Sequence, residues 1–312
     1  MTLDIRKALD ESEAAGVGGG VLIPEKISPD IRDILDVSAP IRVLLNRFPW
    51  STNSYEWDDR TALMHGGFYA KGDAFNYYSG VDKSAYEQST YERRAKLIRR
   101  LKSEGNVDNL LRVATTGFAN SLDLEIRAAT IKMALVEEDA ILRATTPTDG
   151  FEPLYIQITQ NVDAAGAVMS FDLLDELIDT VEGQGFPVDL IIMAPRDLGK
   201  LRKEARDKGK VMLDILGIKG IESRIRVYNG INIVTSSKVP KNLTYGGTPT
   251  DSMSVCYAVN TEMVHVPVLE DVNYVEVPVS SDSLAFRLKE YISLAVVGGS
   301  IAHAKLINIA AA

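Results

Sequence analysis

Between Ser54 and Leu97 the sequence leaves as a strand, breaks into glycines and aromatics, and returns as a strand without offering an apolar face. Tyr55 and Trp57 alternate with Glu56 and Asp58, the period of a half-exposed strand. Gly66, Gly67 and Gly72 then interrupt the pattern, with Phe68, Tyr69, Phe75, Tyr77 and Tyr78 between and after them. The return limb, a strand within Ser84–Leu97, is polar on both sides. Glu56, Asp58 and Asp59 going out and Arg93 and Arg94 coming back put opposite charges across one ribbon, a mildly favourable pairing. A lone two-stranded ribbon with no apolar face is marginal in water. The excursion therefore needs an outside surface, and its aromatics suit a contact with a ligand, a nucleic acid or another copy of the chain.

The remaining sequence supplies a core but no general grip on an acidic polymer. With 312 residues, 46% of them hydrophobic, the chain can bury one large or two medium domains. A net charge of −9 argues against nucleic-acid binding spread over the whole surface and leaves a local basic patch open. One cysteine, Cys256, excludes an intrachain disulfide and says nothing about compartment. MTLDIRKALDESEAAG does not read as a signal peptide, and no apolar run reaches the ~18 residues of a membrane span. The expectation is a soluble protein made in a cytoplasm, with no membrane contact.

Along the chain, residues 1–16 read as a short polar helix and GVGGG at 16–20 as a flexible break. VLIPEKISPDIRDIL predicts an arm that is extended first and then helical, through Ile31, Ile34 and Leu35. Val43–Asp59 reads as strand. Residues 118–143 form the clearest element. Leu122, Ile126, Ala129, Met133, Val136 and Ala140 make one helical stripe, and Leu124, Ala128, Ile131 and Leu135 a second. Asn120 or Ser121 suits the cap, with Asp123 and Glu125 at the positive end of the dipole. Unbroken, this helix is about 39 Å long. FDLLDELIDTVEG is an amphipathic helix ended by Gly183, VDLIIMAP a buried strand and RDLGKLRKEARDKG a charged helix. INIVTSSKVP, MSVCYAVNT, MVHVPVLED and VNYVEVPV read as strands, as does 286–309 around Gly298 and Gly299. Such a mixture is α+β rather than a regular βαβ alternation.

Catalytic and metal-binding patterns do not emerge. His65, His265 and His303 have no second ligand at metal spacing. Cys256 sits in the apolar run SVCYAV and reads as a small buried hydrophobe. GVGGG lacks the Lys-Ser/Thr of a phosphate-binding loop and reads as a hinge. Glu137, Glu138 and Asp139 fan out around a helix, which predicts a solvated or inter-subunit face. Arg93, Arg94, Lys96, Arg99, Arg100 and Lys102 are the one basic concentration, suited to phosphates or, the favoured reading in so acidic a chain, to acidic residues of a neighbouring chain. No catalytic, cofactor-binding or metal-binding residue is assigned. With an outlying ribbon, an arm and a long helix, the reading is a structural protein, not an enzyme.

The order of parts resembles the major capsid proteins of tailed double-stranded DNA phages, which have the Hong Kong 97 (HK97-like) fold, from about Gly18 to Ile309. GGGVLIPEKISPDIRDIL with SAPIRVLLNRFPW resembles the N-terminal arm, and SYEWDDR through STYERRAKLIRRLKSEG the extended loop. The helix at 118–143 resembles the spine helix, SFDLLDELIDTV through RDLGKLRKEARDKGK the entry to the axial domain, and AFRLKEYISLAVVGGSIAHAKLINI the closing strands. The resemblance implies an arm at 1–47, an extended loop at 48–97, a peripheral domain at 98–165, an axial domain at 166–285 and return strands at 286–312. It implies pentamers and hexamers of this chain in an icosahedral head, assembled in the host cytoplasm and located in the virion. The packaged double-stranded DNA would be contacted weakly and non-specifically, and a portal would be a partner. About seventeen residues precede the arm, in place of the long cleaved scaffolding segment of some members, which implies a separate scaffolding protein, or none. The implied inter-subunit contacts are Tyr55, Trp57, Phe68, Tyr69, Phe75, Tyr77 and Tyr78 of the loop, Arg93 and Arg94 of its return limb, and Val21, Leu22 and Ile23 of the arm. Lys71 and Lys83 lie in the loop where some members carry a cross-linking lysine, but no partner asparagine or catalytic glutamate can be matched. Encapsulins, bacterial shells that hold cargo enzymes, share the fold; they usually begin with a helix, whereas GGGVLIPEKISPD resembles the phage arm.

Overall fold

The computed structural model describes residues 39–62, 90–115, 121–208, 213–214, 225–245, 248–278 and 282–311. Val21, Leu22, Ile23, His65, Phe68, Tyr69, Lys71, Phe75, Tyr77, Tyr78 and Lys83 lie outside these residues.

The chain enters through a short helix α1 (Pro40–Leu44), with proline at its first position, where a missing N–H costs nothing. Strand β1 (Asn46–Pro49) follows, then the ribbon of β2 (Ser54–Ala62) and β3 (Thr90–Leu97). Val43–Asp59 is thus not one strand, because Pro40 starts a helical turn and the chain bends between Pro49 and Ser54. Strand β4 (Arg99–Asp108) continues directly into a sheet, and a short helix α2 (Asn109–Thr115) follows it. The longest helix among the described residues is α3 (Ser121–Leu142), 22 residues and so about 33 Å long.

Two sheets organise the body. In the first, β1 runs parallel to β12 (Val264–Val277), and β12, β13 (Ser283–Ile292) and β4 follow antiparallel, with β14 (Ala295–Val296) also on β12. The stretches MVHVPVLED and VNYVEVPV are one continuous strand, β12, whose register shifts around Glu270. Helix α3 packs over β4, with Ala129 and Met133 set against Val107, Phe286 and Leu288. Gly105 of β4 makes room for the Phe286 ring: a Cβ there would lie 2.4 Å from Cζ.

The second sheet has the order β5 (Asn161–Asp163), β15 (Ala304–Ile309), β11 (Thr248–Val259), β6 (Leu190–Met193), β9 (Ile231–Thr235), β8 (Ile225–Tyr228) and β7 (Leu213–Asp214). A short β10 (Leu243–Tyr245) pairs with β11. All four residues of β6 are buried, as its unbroken apolar run requires. Helix α4 (Leu154–Gln157) lies before this sheet. Helix α5 (Phe171–Glu182) starts where the Ser170 hydroxyl accepts from Leu173 N–H at 3.3 Å, and ends at Gly183. It buries Phe171, Leu174, Leu177, Ile178 and Val181, at a spacing of three and four. Helix α6 (Pro195–Asp207) closes the same core with Leu198, Leu201 and Ala205. An expected boundary at 285/286 falls inside β13. The last strand, β15, lies between β5 and β11 in the second sheet, while β12 belongs to the first.

Candidate assembly interface

The ribbon's root is built from side chains on either side of the 50–53 bend. Tyr55 is 8% exposed; its ring meets Phe48 at 5.6 Å and Trp50 at 4.9 Å, and its hydroxyl lies 2.7 Å from His265 Nδ1. His265 Nε2 is 3.0 Å from the Glu262 carbonyl. Trp57, half-buried, stacks on Tyr55 at 5.4 Å and donates to Asp59 at 2.9 Å. Backbone bonds Ile98 N–H to Asn53 O and Trp50 N–H to Val268 O tie the root to the first sheet. Tyr55 is therefore an anchor within its own chain and not a free contact. Its alternation with acidic residues showed a strand, but Phe48, Trp50 and His265, which receive it, come from other segments.

Beyond the root, the limbs are exposed. The register places Asp58 opposite Arg93 and Trp57 opposite Arg94. Arg93 Nε is 3.1 Å from Asp58 and Arg94 Nε is 2.9 Å from Asp59. Lys96 pairs with Glu152 and Lys102 with Glu104. Four members of the basic run thus meet carboxylates of the same chain. The ribbon's register brings Asp58 and Asp59 within reach of Arg93 and Arg94. Tyr91 and Leu97 of β3 remain 58% and 53% exposed, and Leu110 and Val113, one turn apart on α2, 75% and 70%.

Where the arm enters, an acidic pair is buried. Glu137 and Glu138 are 1% and 0% exposed, which overturns the expectation of a solvated or inter-subunit face. Glu137 continues the buried line Ala129, Met133, Glu137, Ile141 at intervals of four, and Glu138 lies four residues before the buried Leu142, so both point into the protein. Arg47 bridges Glu137 and Glu290, and Arg42 reaches Glu290 at 3.2 Å. Arg42 Nε also lies 2.6 Å from Glu137 Oε2, a charge contact rather than a directed hydrogen bond. Glu138 accepts from Ile41 N–H at 3.1 Å and from the Ser236 hydroxyl. Burial pushes the Glu137 carboxyl up to about 7, against the pull of Arg47 and Arg42. These groups fix α1 and β1 to α3 and β13. The second stripe of α3 is different: Leu124, Ile131 and Leu135 are half-buried, Ala128 is exposed, and none joins a core cluster.

The rare residues are accounted for by packing. Cys256 is fully buried, and burial raises its thiol well above the ordinary value. His303, just before β15 and fully buried, accepts from Asn260 N–H at 3.2 Å through Nδ1, leaving Nε2–H for the Val297 carbonyl at 3.0 Å. Burial lowers its pKa to about 4. Among the described residues no three of His, Cys, Asp and Glu form a metal-binding group, and no helix is long and apolar enough to cross a membrane.

No protein-family model and no curated protein matches the sequence. Solved structures do. The holo-SrpI encapsulin complex from Synechococcus elongatus PCC 7942 aligns at TM-score 0.65 and 15% identity, over 100% of this chain and 97% of that one. The capsid of the native GTA particle aligns at TM-score 0.69 and 15% identity, over 95% and 99%. A structure from Mycobacterium phage Bobi aligns at TM-score 0.65 and 13% identity, over 92% and 96%. The chain has the HK97-like fold.

Proposed function

We propose that the chain is a major capsid protein that assembles, as pentamers and hexamers, into the icosahedral head enclosing the double-stranded DNA of a tailed virus. The observation that carries the reading is the ribbon. Its root is locked into its own subunit, yet beyond the Lys96–Glu152 pair its limbs are largely exposed and present no apolar face among the described residues. A neighbouring copy is the surface that closed symmetry supplies repeatedly. The half-buried second stripe of α3 and the exposed Leu110 and Val113 support the same reading, since apolar surface left in clusters marks contacts. Trp57, Phe68, Tyr69, Phe75, Tyr77 and Tyr78 would grip the adjacent subunit. Val21, Leu22 and Ile23 would dock along a neighbour's α3. The first sheet with α3 would be the peripheral part and the second sheet with α5 and α6 the axial part. A separate scaffolding protein and a portal would be the other partners, with DNA touched weakly, and the chain's role would be structural rather than enzymatic.

A cargo-holding shell is the second reading, favoured by the alignment of the encapsulin complex over the whole chain. The arm sequence VLIPEKISPD supports the viral one. Particles isolated from the native source separate the two. Nuclease-resistant double-stranded DNA inside is the expected result, and a protein cargo without DNA would replace the viral reading by the second.

A further inference from the structure

We propose that a cleft beside the C-terminal half of α3 holds residues 30–36 of the same chain, DIRDILD, and so clamps the arm to its own subunit before it reaches any neighbour. The cleft, about 370 Å³, lies between α3, the start of β4 and the turn at 147–151. Its floor is apolar: Leu101, Val136, Ala140, Phe151 and Ile292. Its rim carries Arg99, Arg100 and Arg143 against Asp139 and Asp149, one positive charge in excess. Arg143 is paired with Asp139 at 2.7 Å, whereas Arg100 has only the Tyr291 ring, 5.9 Å away, and Arg99 has no carboxylate partner among the described residues. An apolar floor under unpaired guanidinium groups fits a segment that alternates aliphatic side chains with carboxylates.

DIRDILD is such a segment. Ile31, Ile34 and Leu35 would meet the floor, and Asp30, Asp33 and Asp36 outnumber Arg32. The apolar run Val21–Ile23 is flanked by glycines and by Pro24, with Glu25 as its nearest acid, and lacks this alternation. Position agrees with chemistry. The described chain begins at Ala39, and Ile41 N–H is bonded to Glu138, the residue before Asp139 and Ala140 of the cleft. From Asp36 to Pro40 an extended chain spans at most about 14 Å, and a helix with its side chains is about 10–12 Å across. A segment that ends at Asp36 therefore has the reach to enter the cleft. Docked there, they would leave residues 1–29 free to run outward. The proposal concerns the isolated subunit and does not depend on what the assembled shell contains.

The test is amide hydrogen exchange over residues 30–36 in full-length protein kept monomeric, as checked by light scattering. The expected result is exchange at least about tenfold slower than in an unstructured chain, while residues 1–29 exchange freely. Arg99→Glu with Arg100→Glu should abolish the protection. Adding Asp33→Arg and Asp36→Arg should restore it. Independently, Leu35→Cys with Ala140→Cys should form a disulfide within one chain, shown by mixing isotopically light and heavy protein before oxidation. Free exchange of 30–36 in the unaltered chain would overturn the proposal. So would protection that ignores the rim reversal, or a disulfide that joins only different copies.

Discussion

Glu137 and His303 show how buried polar side chains set the pH response of this molecule. His303 has a folded pKa of about 4 against 6.5 in the ordinary case. Between those values the unfolded chain binds the extra proton, so stability falls as pH drops through that window, by on the order of 3 kcal/mol in all. Glu137 works the other way. Its pKa is raised from 4.5 to about 7. Its contribution is complete below pH 4.5 and is lost as pH rises through 7. The two slopes oppose each other over their shared range. Melting temperatures from pH 4.5 to 7 should therefore be flatter for the natural chain than for either single variant. Glu137→Gln should leave a curve that rises with pH, and His303→Gln one that falls. Parallel curves for all three would remove the assigned causes. A glycine offers a simpler test. Gly105→Ala would drive a methyl group into the Phe286 ring, which is 1% exposed and stacked 5.8 Å from Tyr274. Calorimetry should register a loss of about 1–3 kcal/mol, whereas Gly199→Ala, where the added Cβ meets nothing within 4 Å, should not destabilise.

At the scale of elements, the root of the ribbon folds into its own chain, and the proposed function assigns the tip to assembly. Tyr55→Ala removes a ring packed against Phe48, Trp50 and His265 and should lower monomer stability by about 3 kcal/mol. Replacing residues 61–84 by a short Gly/Ser turn should leave far-UV circular dichroism and melting cooperativity nearly unchanged and abolish shells. An unfolded monomer after that replacement would mean that the tip packs internally. The sequence made the limbs legible because alternation and complementary charge are local signals, and the same held for α5, β6 and α6. Two things escaped it. Glu137 and Glu138 read as solvated or inter-subunit from their charge, although Glu137 continues the intervals of four set by Ala129 and Met133 and Glu138 lies four before the buried Leu142. Their partners Arg42, Arg47 and Glu290 lie on α1, β1 and β13, far away in sequence. The allocation of strands to sheets escaped for the same reason: β15 joins β5 and β11 through pairings that no local pattern encodes.

For the whole molecule, the account holds that a stable subunit carries apolar and ribbon surfaces completed only by other copies. The arm should report this directly. Amide exchange over residues 1–29 should be fast in free subunits and strongly slowed in shells, and equal protection in both would mean that this part folds back on its own subunit. The most direct measurement is electron microscopy of the full-length chain expressed with its neighbouring genes, alongside light scattering of the same preparation. The account predicts closed shells built of pentamers and hexamers. A strictly monomeric species, folded by circular dichroism yet forming no rings or shells under those conditions, would contradict it.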